Sequence, residues 1–287
     1  MEADAIPLIP DPVPAPALAP AELPPEDALI LRPDILQRFD FAALFGNAHP
    51  VELELGAGDG SFLVNYTALH PEHNFLGAER LLGRLRKIDR KGRRAGLTNL
   101  RVLRLEASYL LEWMVPAGSL DAIHVYFPDP WPKRRHWKNR LINERFTHLA
   151  HHALKPGGTV YLRTDDLPYF EQMERVFDAN PHFTRVYPPE ELQAVKTDFE
   201  RNFNAKGIPT NHAAFRRQPG PALPLPAPDP GNFPQEPETD STDGGPETAP
   251  ASTCLTAFRS APSPACRSGS PGSHWWRCWP PSPCALN

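Results

Sequence analysis

Residues 51–61, with the sequence VELELGAGDGS, decide the fold of this chain. The largely apolar run "VELEL" predicts a short buried strand, and the glycines behind it predict a tight turn into a helix. Glycine at Gly56, Gly58 and Gly60 allows the backbone to approach a ligand closely at the start of that helix. A dinucleotide-binding fingerprint would need a further glycine at Ser61, and a P-loop would need a lysine, so the turn matches neither phosphate-binding motif.

Strand and helix patterns alternate on the C-terminal side of this turn. The predicted strands are "NFLGAE" (74–79), "LRVLRLEA" (100–107), "LDAIHVYF" (120–127), "PGGTVYLRTD" (156–165), "HFTRVY" (182–187) and "HAAFRR" (212–217). The predicted helices between them are "FLVNYTALH" (62–70), "LLGRLRKIDRKGRRAG" (81–96), "YLLEWMV" (109–115), "NERFTHLAHHALK" (143–155) and "PYFEQMERVFDAN" (168–180). This alternation predicts an α/β, Rossmann-like fold, with a mostly parallel, doubly wound sheet and helices on both faces.

The ends of the chain have a different composition from its centre. Most of the 37 prolines lie in the first stretch or after Gln218, where no helix or strand periodicity is visible. We therefore predict an ordered domain over 30–217, with disordered Pro-rich tails over 1–29 and 218–287. All four cysteines fall in the C-terminal tail, which favours a cytoplasmic protein. The sequence has no pattern of a signal peptide and no apolar run long enough for a membrane span, so we expect no membrane association.

Five predicted strands in succession end close to a carboxylate. These residues are Glu54, Glu79, Glu106, Asp129 and Asp165. Each one alone could be a helix N-cap, but ligands of parallel sheets bind beyond the carboxyl ends of the strands. The acid Glu79 follows Gly60 by 19 residues, close to the spacing at which a second-strand acid binds ribose hydroxyls. Glu54 would repel a pyrophosphate and suits a cation, so we predict S-adenosyl-L-methionine, which carries an ammonium, a sulfonium and no phosphate, as the cofactor.

Basic residues are concentrated between Arg80 and Arg145, although the formal net charge of the chain is −4. We predict that two groups of them contact RNA phosphates: Arg84, Lys87, Arg90 and Lys91 on one helix, and Arg134, Arg135, Lys138 and Arg140 in "FPDPWPKRRHWKNR" (127–140). The helical group could instead be an ordinary solvated face. The ring of Trp131 could stack on an extruded base or cover the end of the sheet.

The motifs "ELGAGDGSF", "NFLGAER", "NLRVLRLEA", "VYFPDPWPKRRHWKNR", "LRTDD" and "TDFERNF" together resemble the TrmB-type bacterial tRNA (guanine-N7-)-methyltransferases. The resemblance runs from about Phe45 to about Arg217 and does not cover the tails. It implies a class I methyltransferase that transfers a methyl group from S-adenosyl-L-methionine to N7 of guanine 46, in the variable loop of tRNA.

The resemblance also implies roles for individual residues. It gives Glu54, Glu79, Glu106 and Asp129 as cofactor-contacting acids, with Asp129 also in the catalytic position. It gives the following residues as substrate-binding: Lys133, Asp165, Thr197, Asp198, Phe199 and Glu200. Two features depart from the family: Glu106 stands where an aspartate is expected, and the C-terminal tail has no counterpart.

Other functions remain open from the sequence, although fewer residues support them. Another nucleobase nitrogen could be methylated, or an RNA-binding protein could retain the fold without activity. The histidines in "HPEH" (70–73) and the pair His151 and His152 lack metal-ligand spacing, so we predict no metal. No nucleophile motif supports a hydrolase. The oligomeric state is expected to be a monomer or a homodimer.

Overall fold

The computed structural model describes residues 28–227. The predicted tails therefore lie outside the described residues, except for residues 28–29 and 218–227. All four cysteines also lie outside this range. None of the helices between residues 28 and 227 combines the length and apolar character needed to cross a membrane.

One sheet of eight strands organises the described part of the chain. The strands are β1 (Ile30–Leu31), β2 (Val51–Leu55), β3 (Asn74–Ala78), β4 (Leu100–Leu103), β5 (Leu120–Tyr126), β6 (Leu154–Thr164), β7 (Phe183–Val186) and β8 (Asn211–Arg217). Their order is β1-β4-β3-β2-β5-β6-β8-β7; β8 pairs antiparallel with β6 and with β7, and every other pair of neighbours is parallel. The carboxyl ends of β2 to β6 therefore lie at one edge, as predicted for a doubly wound sheet.

Helices cover both faces of this sheet. They are α1 (Phe41–Phe45), α2 (Ser61–Leu69), α3 (Leu82–Arg94), α4 (Ala107–Tyr109), a π-helix (Leu110–Met114), a 3-10 helix (Arg134–Asn139), α5 (Glu144–Ala153), α6 (Leu167–Asp178), α7 (Glu190–Ala194) and α8 (Asp198–Ala205). One hydrophobic cluster holds buried residues of α4, α5 and α6, and a second holds those of α2, α3 and α7. The predicted α/β fold with helices on both faces is confirmed.

Several short elements were not predicted from the sequence. They are β1, α1, α7, α8 and the 3-10 helix, none of which is longer than eight residues. The segment "YLLEWMV", predicted as one helix, divides into the short α4 and the π-helix. Local capping explains where some of these elements start: Asp40 accepts a hydrogen bond from the N–H of Ala43, and Thr197 accepts one from the N–H of Glu200.

Residues 218–227 pack against the domain, although they were predicted to belong to the disordered tail. The N–H of Leu223 donates to Nδ1 of His151, and Nδ1 of His152 lies 2.9 Å from the carbonyl oxygen of Leu223. Arg217 is buried and donates to the carbonyl oxygen of Gly220. The predicted domain boundary at Arg217 is therefore too early, because side chains of α5 satisfy a proline-rich backbone that has no periodicity of its own.

Candidate active site

The turn after β2 has the left-handed backbone that its glycines permit. The φ angles of Gly56, Gly58 and Gly60 are 78°, 58° and 75°, a region that other residues rarely adopt. A Cβ atom at Gly60 would also lie 2.7 Å from Cγ1 of Ile88, so glycine here lets α2 and α3 pack closely. A Cβ at Gly56 would meet nothing within 4 Å, which leaves space for a ligand beside the backbone.

Glu54 is a buried acid at the carboxyl end of β2. It is only 3% exposed, and its Oε2 atom has no hydrogen-bond partner. Burial raises the pKa of its carboxyl to about 8; the charge of Arg163 opposes that rise, whereas Asp59 and Glu79 add to it. Because an unpartnered buried carboxylate is costly, the arrangement favours a ligand that brings positive charge.

Glu79, at the end of β3, holds the glycine turn in place. Its Oε2 atom accepts a hydrogen bond of 2.9 Å from the N–H of Gly58, and its Oε1 atom accepts one of 2.8 Å from the N–H of Leu81. Each carboxylate oxygen can accept further bonds, so Glu79 can both fix the turn and receive ligand hydroxyls.

Glu106 and Asp165 differ from these two acids in their surroundings. Glu106 is the N-cap of α4, where its Oε2 atom accepts a 2.9 Å hydrogen bond from the N–H of Tyr109. The N-cap alternative considered from the sequence therefore applies to Glu106. Asp165 is half-buried just after β6, and its neighbour Asp166 caps α6 instead.

The turn after β5 carries Asp129 into solvent at the same edge of the sheet. The two residues that flank its Pro-Asp-Pro segment, Phe127 and Trp131, have φ angles of 51° and 46°. Two non-glycine residues in this region store backbone strain, which is typical of functional sites. The N–H of Phe127 donates to the carbonyl oxygen of Arg163 over 2.8 Å. The strained turn therefore begins directly on the β5–β6 pair.

The segment 197–200 lies against both the glycine turn and the turn after β5. The N–H of Asp198 donates to Oγ of Ser61 over 2.8 Å, immediately after the glycine turn. The ring of Phe199 stacks on that of Phe127, with centroids 6.3 Å apart and planes inclined by 26°. These contacts bring the predicted substrate-binding segment beside the predicted cofactor-binding residues.

The four side chains of this segment have different surroundings. Thr197 is buried and caps α8, and Glu200 is buried and pairs with Arg163 over 3.0 Å. Asp198 forms an ion pair with Arg201. Phe199 is 47% exposed, so its ring is the large apolar surface of the segment that solvent reaches. The motif "LRTDD" (162–166) contains Arg163, but no pattern predicted a role for it, since a single arginine within an apolar strand resembles an edge residue.

The basic residues predicted to contact RNA differ in how far their side chains are exposed. Those with exposed side chains are Arg84, Lys87, Arg90, Lys133, Arg134, Arg135 and Lys138. Lys91 is half-buried and pairs with Asp59 of the glycine turn, so part of its charge is neutralised within the protein. The exposed residues belong to α3, which follows β3, and to the segment 133–138, which follows β5 and includes most of the 3-10 helix.

Arg140 does not face solvent. It is 2% exposed, and its guanidinium lies 4.5 Å from the Trp137 ring and 4.6 Å from the Tyr169 ring. It donates to the carbonyl oxygen of Pro130 over 2.8 Å and to Oε1 of Gln172 over 2.7 Å. The prediction that Arg140 contacts phosphate is therefore wrong: this arginine braces the turn that carries Asp129.

A family model described as "Putative methyltransferase" matches residues 48–213, which is more than half of the chain. The chain belongs to this methyltransferase family. The match includes the glycine turn, the turn of Asp129 and the segment 197–200, so it covers the whole edge described above.

Curated relatives give the family a narrower name. A tRNA (guanine-N(7)-)-methyltransferase of Streptomyces avermitilis is 41% identical over 183 residues, covering 62% of this chain and 63% of that protein. A protein of the same name from Syntrophotalea carbinolica is 44% identical over 130 residues, with 45% and 56% covered. One from Halorhodospira halophila is 36% identical over 193 residues, with 63% and 80% covered. The chain thus spans about three fifths of the first two relatives, and the family resemblance seen in the motifs is confirmed.

S-adenosyl-L-methionine, the cofactor of this methyltransferase family, fits the residues at the carboxyl edge. Its positive groups would meet Glu54, whose Oε2 atom has no partner within the protein. Its ribose hydroxyls would meet Glu79, and its chain would lie in the open space beside Gly56. Within residues 28–227, no three or more His, Cys, Asp or Glu side chains are grouped so that they could hold a metal ion.

Proposed function

We propose that this protein transfers a methyl group from S-adenosyl-L-methionine to N7 of guanine in tRNA, with guanine 46 of the variable loop as the target. The observation that carries the proposal is the position of Glu54, whose buried Oε2 atom has no hydrogen-bond partner, at the same sheet edge as the exposed Asp129 and Phe199. The names of the relatives support tRNA and N7 as the substrate and the atom.

The chemistry requires alignment more than proton transfer. N7 of guanine has a free lone pair in neutral RNA, so no base needs to remove a proton before methylation. The protein has to hold N7, the methyl carbon and the sulfur in line, which lowers the barrier by proximity and orientation. Asp129 would hold either the amino group of the cofactor or the N1–H and N2–H edge of the guanine, because its flanking prolines fix its direction.

The target base needs a surface on which to stack once it leaves the RNA helix. Phe199 offers an exposed ring whose other side packs on Phe127 and Phe203, at centroid distances of 6.3 and 6.4 Å. Trp131 is half-buried and meets His136 edge-on at 5.8 Å. We therefore favour Phe199 over Trp131 as the stacking residue, with Lys133 and Asp165 at the rim of the same site.

Phe199→Leu is expected to raise the KM for tRNA about tenfold, since stacking of a base on an aromatic ring contributes about 1–3 kcal/mol. Binding of S-adenosyl-L-methionine should not change, and Phe199→Trp should restore most of the loss. Steady-state methyl transfer and calorimetry measure the two effects separately. Tyr187→Leu is the matched control, because Tyr187 is a 98% exposed aromatic residue outside the site. An equal loss in Phe199→Leu and Tyr187→Leu would exclude the stacking role.

The exposed bases on α3 and the 3-10 helix would bind the tRNA backbone on both sides of the site. Lys87 and Arg90 lie one turn apart on the exposed side of α3. The double variant Lys87→Ala, Arg90→Ala is expected to reduce the slope of log affinity against log salt by about 1 to 2, because each phosphate contact releases counterions. Arg175→Ala on α6, across the sheet from α3, is the control. Filter binding of tRNA at several salt concentrations measures the slope, and an unchanged slope would place the RNA elsewhere.

The decisive experiment is transfer of labelled methyl to unmodified tRNA, followed by chemical cleavage at 7-methylguanosine. Cleavage at position 46, and its absence when guanine 46 is replaced by adenine, is the expected result. Methylation without cleavage would favour a different nucleobase nitrogen. Failure to bind S-adenosyl-L-methionine in calorimetry would favour an RNA-binding protein without activity.

The cellular context follows from the substrate. We propose a cytoplasmic protein, because tRNA is the macromolecule on which the relatives are named to act. The full chain is expected to be a monomer or a homodimer, which sedimentation of the purified protein would distinguish.

A further inference from the structure

Arg163 is a buried arginine at the carboxyl end of β6 that no motif assigned. It is 2% exposed, and its guanidinium makes three hydrogen bonds to the segment that contains α7 and α8. One nitrogen, Nη1, donates to the carbonyl oxygen of Val195 over 2.8 Å and to Oε2 of Glu200 over 3.0 Å. The other, Nη2, donates to the carbonyl oxygen of Leu192. A single side chain therefore fixes both ends of the linker between α7 and α8.

The faces of the same guanidinium contact the other two elements of the site. Its carbon lies 4.3 Å from the ring centroid of Tyr126, the last residue of β5 before the turn of Asp129. It lies 5.4 Å from the ring centroid of Phe62, the second residue of α2 after the glycine turn. Cation–π contacts of a desolvated guanidinium are among the stronger ones, so Arg163 connects the three elements that surround the site.

The positive charge of Arg163 also acts on the carboxylate of Glu54. Glu54 has a pKa of about 8 because of burial, and Arg163 is the group that lowers this value against Asp59 and Glu79. The partner of Arg163, Glu200, also lies near His212 on β8, whose Nε2 atom is 3.7 Å from its Oε1 atom. Burial and the charge of Arg163 lower the pKa of His212, so the positive charge beside Glu200 comes from Arg163. Loss of Arg163 would therefore leave both Glu54 and Glu200 with less positive charge around them.

We propose that Arg163 is a positioning residue: its hydrogen bonds hold the α7–α8 segment against the site, and the faces of its guanidinium join that segment to Tyr126 and Phe62. The segment carries Phe199, so this role rests on the proposed function.

Two variants test this role. Arg163→Lys keeps a positive charge but cannot reach all three acceptors, so the KM for tRNA should rise about tenfold through the loss of one or two hydrogen bonds, while kcat changes much less. Its affinity for S-adenosyl-L-homocysteine should stay close to that of the wild type. The double variant Arg163→Met, Glu200→Gln removes both members of the ion pair, which avoids an uncompensated buried charge, so this variant should still fold.

The double variant is expected to raise the KM for tRNA above that of Glu200→Gln alone, because it also removes the hydrogen bonds to the carbonyl oxygens of Leu192 and Val195. Steady-state methyl transfer measures KM and kcat, and calorimetry measures binding of S-adenosyl-L-homocysteine. Arg185→Lys is the control, because Arg185 also pairs with two carboxylates and lies over a ring.

An unchanged KM for tRNA in Arg163→Lys would overturn the proposal, and so would a double variant whose KM equals that of Glu200→Gln alone. If the wild type binds S-adenosyl-L-homocysteine but does not methylate tRNA, the proposed function fails. Filter binding of tRNA by the wild type and by Arg163→Lys then tests the holding role by itself.

Discussion

Glu54→Gln is expected to weaken binding of S-adenosyl-L-methionine by at least about 100-fold and, at high pH, to stabilise the protein without ligand. The first effect follows because Gln cannot supply the negative charge, so the positive charge of the bound cofactor would be buried without a partner. The second follows because the burial that prepares Glu54 for a cation makes its ionised form unfavourable when no cation is bound. This one substitution should therefore lower the affinity for the cofactor and, at high pH, raise the free energy of unfolding.

The direction of the pH effect follows from the pKa of Glu54. Its folded value, about 8, lies above the ordinary value of 4.5, so the folded protein retains a proton that the unfolded chain loses between these values. The contribution of Glu54 to stability is therefore fully present at pH 4 and is lost as the pH rises through 8. Since Gln does not titrate, the variant should exceed the wild type by on the order of a few kcal/mol at pH 9.

Thermal or urea unfolding at pH 5 and pH 9 tests this expectation, with cofactor binding measured in parallel. Glu174→Gln is the control, because Glu174 is a less buried carboxylate that already has a partner in Arg185. A Glu54→Gln variant that is less stable than the wild type at pH 9 would show that the carboxylate has a compensating partner in solution. Binding of the cofactor at wild-type affinity would remove Glu54 from the site.

The sequence predicted the α/β fold and the carboxyl edge of its sheet, because the strand–helix alternation and the ends of strands are visible in local patterns. The alternation of patterns identified the carboxyl edge, and the glycine turn identified its centre. The pattern could not predict that Oε2 of Glu54 lacks a partner or that Glu106 caps α4, since both depend on atoms fixed by packing. Short elements such as α7 and α8 were missed because each has too few residues to show a period.

The roles of two arginines could not be predicted from the sequence. Arg140 ends a basic run and therefore resembled a surface residue, but Tyr169, 29 positions later, supplies one of the rings that bury it. Arg163 lies inside an apolar strand, within the motif "LRTDD", and no pattern predicted its role, yet it contacts three elements of the site. In both cases the role depends on partners distant in sequence, which clustering of charge along the chain does not reveal.

Asp129→Ala is expected to lower kcat about 100-fold while cofactor affinity changes much less, because misplacement of reacting groups by about 1 Å has an effect of this size. The carboxylate is exposed, and the strained residues Phe127 and Trp131 determine where it points. Asp129→Asn keeps one oxygen that can accept a hydrogen bond, so it should retain more activity than Asp129→Ala. If Asp129 were instead a general base, the two variants would be equally inactive, since neither can take up a proton.

A change in the turn itself tests the same idea without removing the carboxylate. Pro130→Ala leaves Asp129 in place but frees the backbone beside it, and Pro130 also presents the carbonyl oxygen that Arg140 binds over 2.8 Å. We expect a smaller loss of kcat than in Asp129→Ala, with binding of S-adenosyl-L-methionine unchanged. Single-turnover methyl transfer at saturating tRNA and cofactor measures the chemical step directly. Normal turnover at saturation in Asp129→Ala, with weaker binding only, would show that this acid binds a ligand without aligning the reaction.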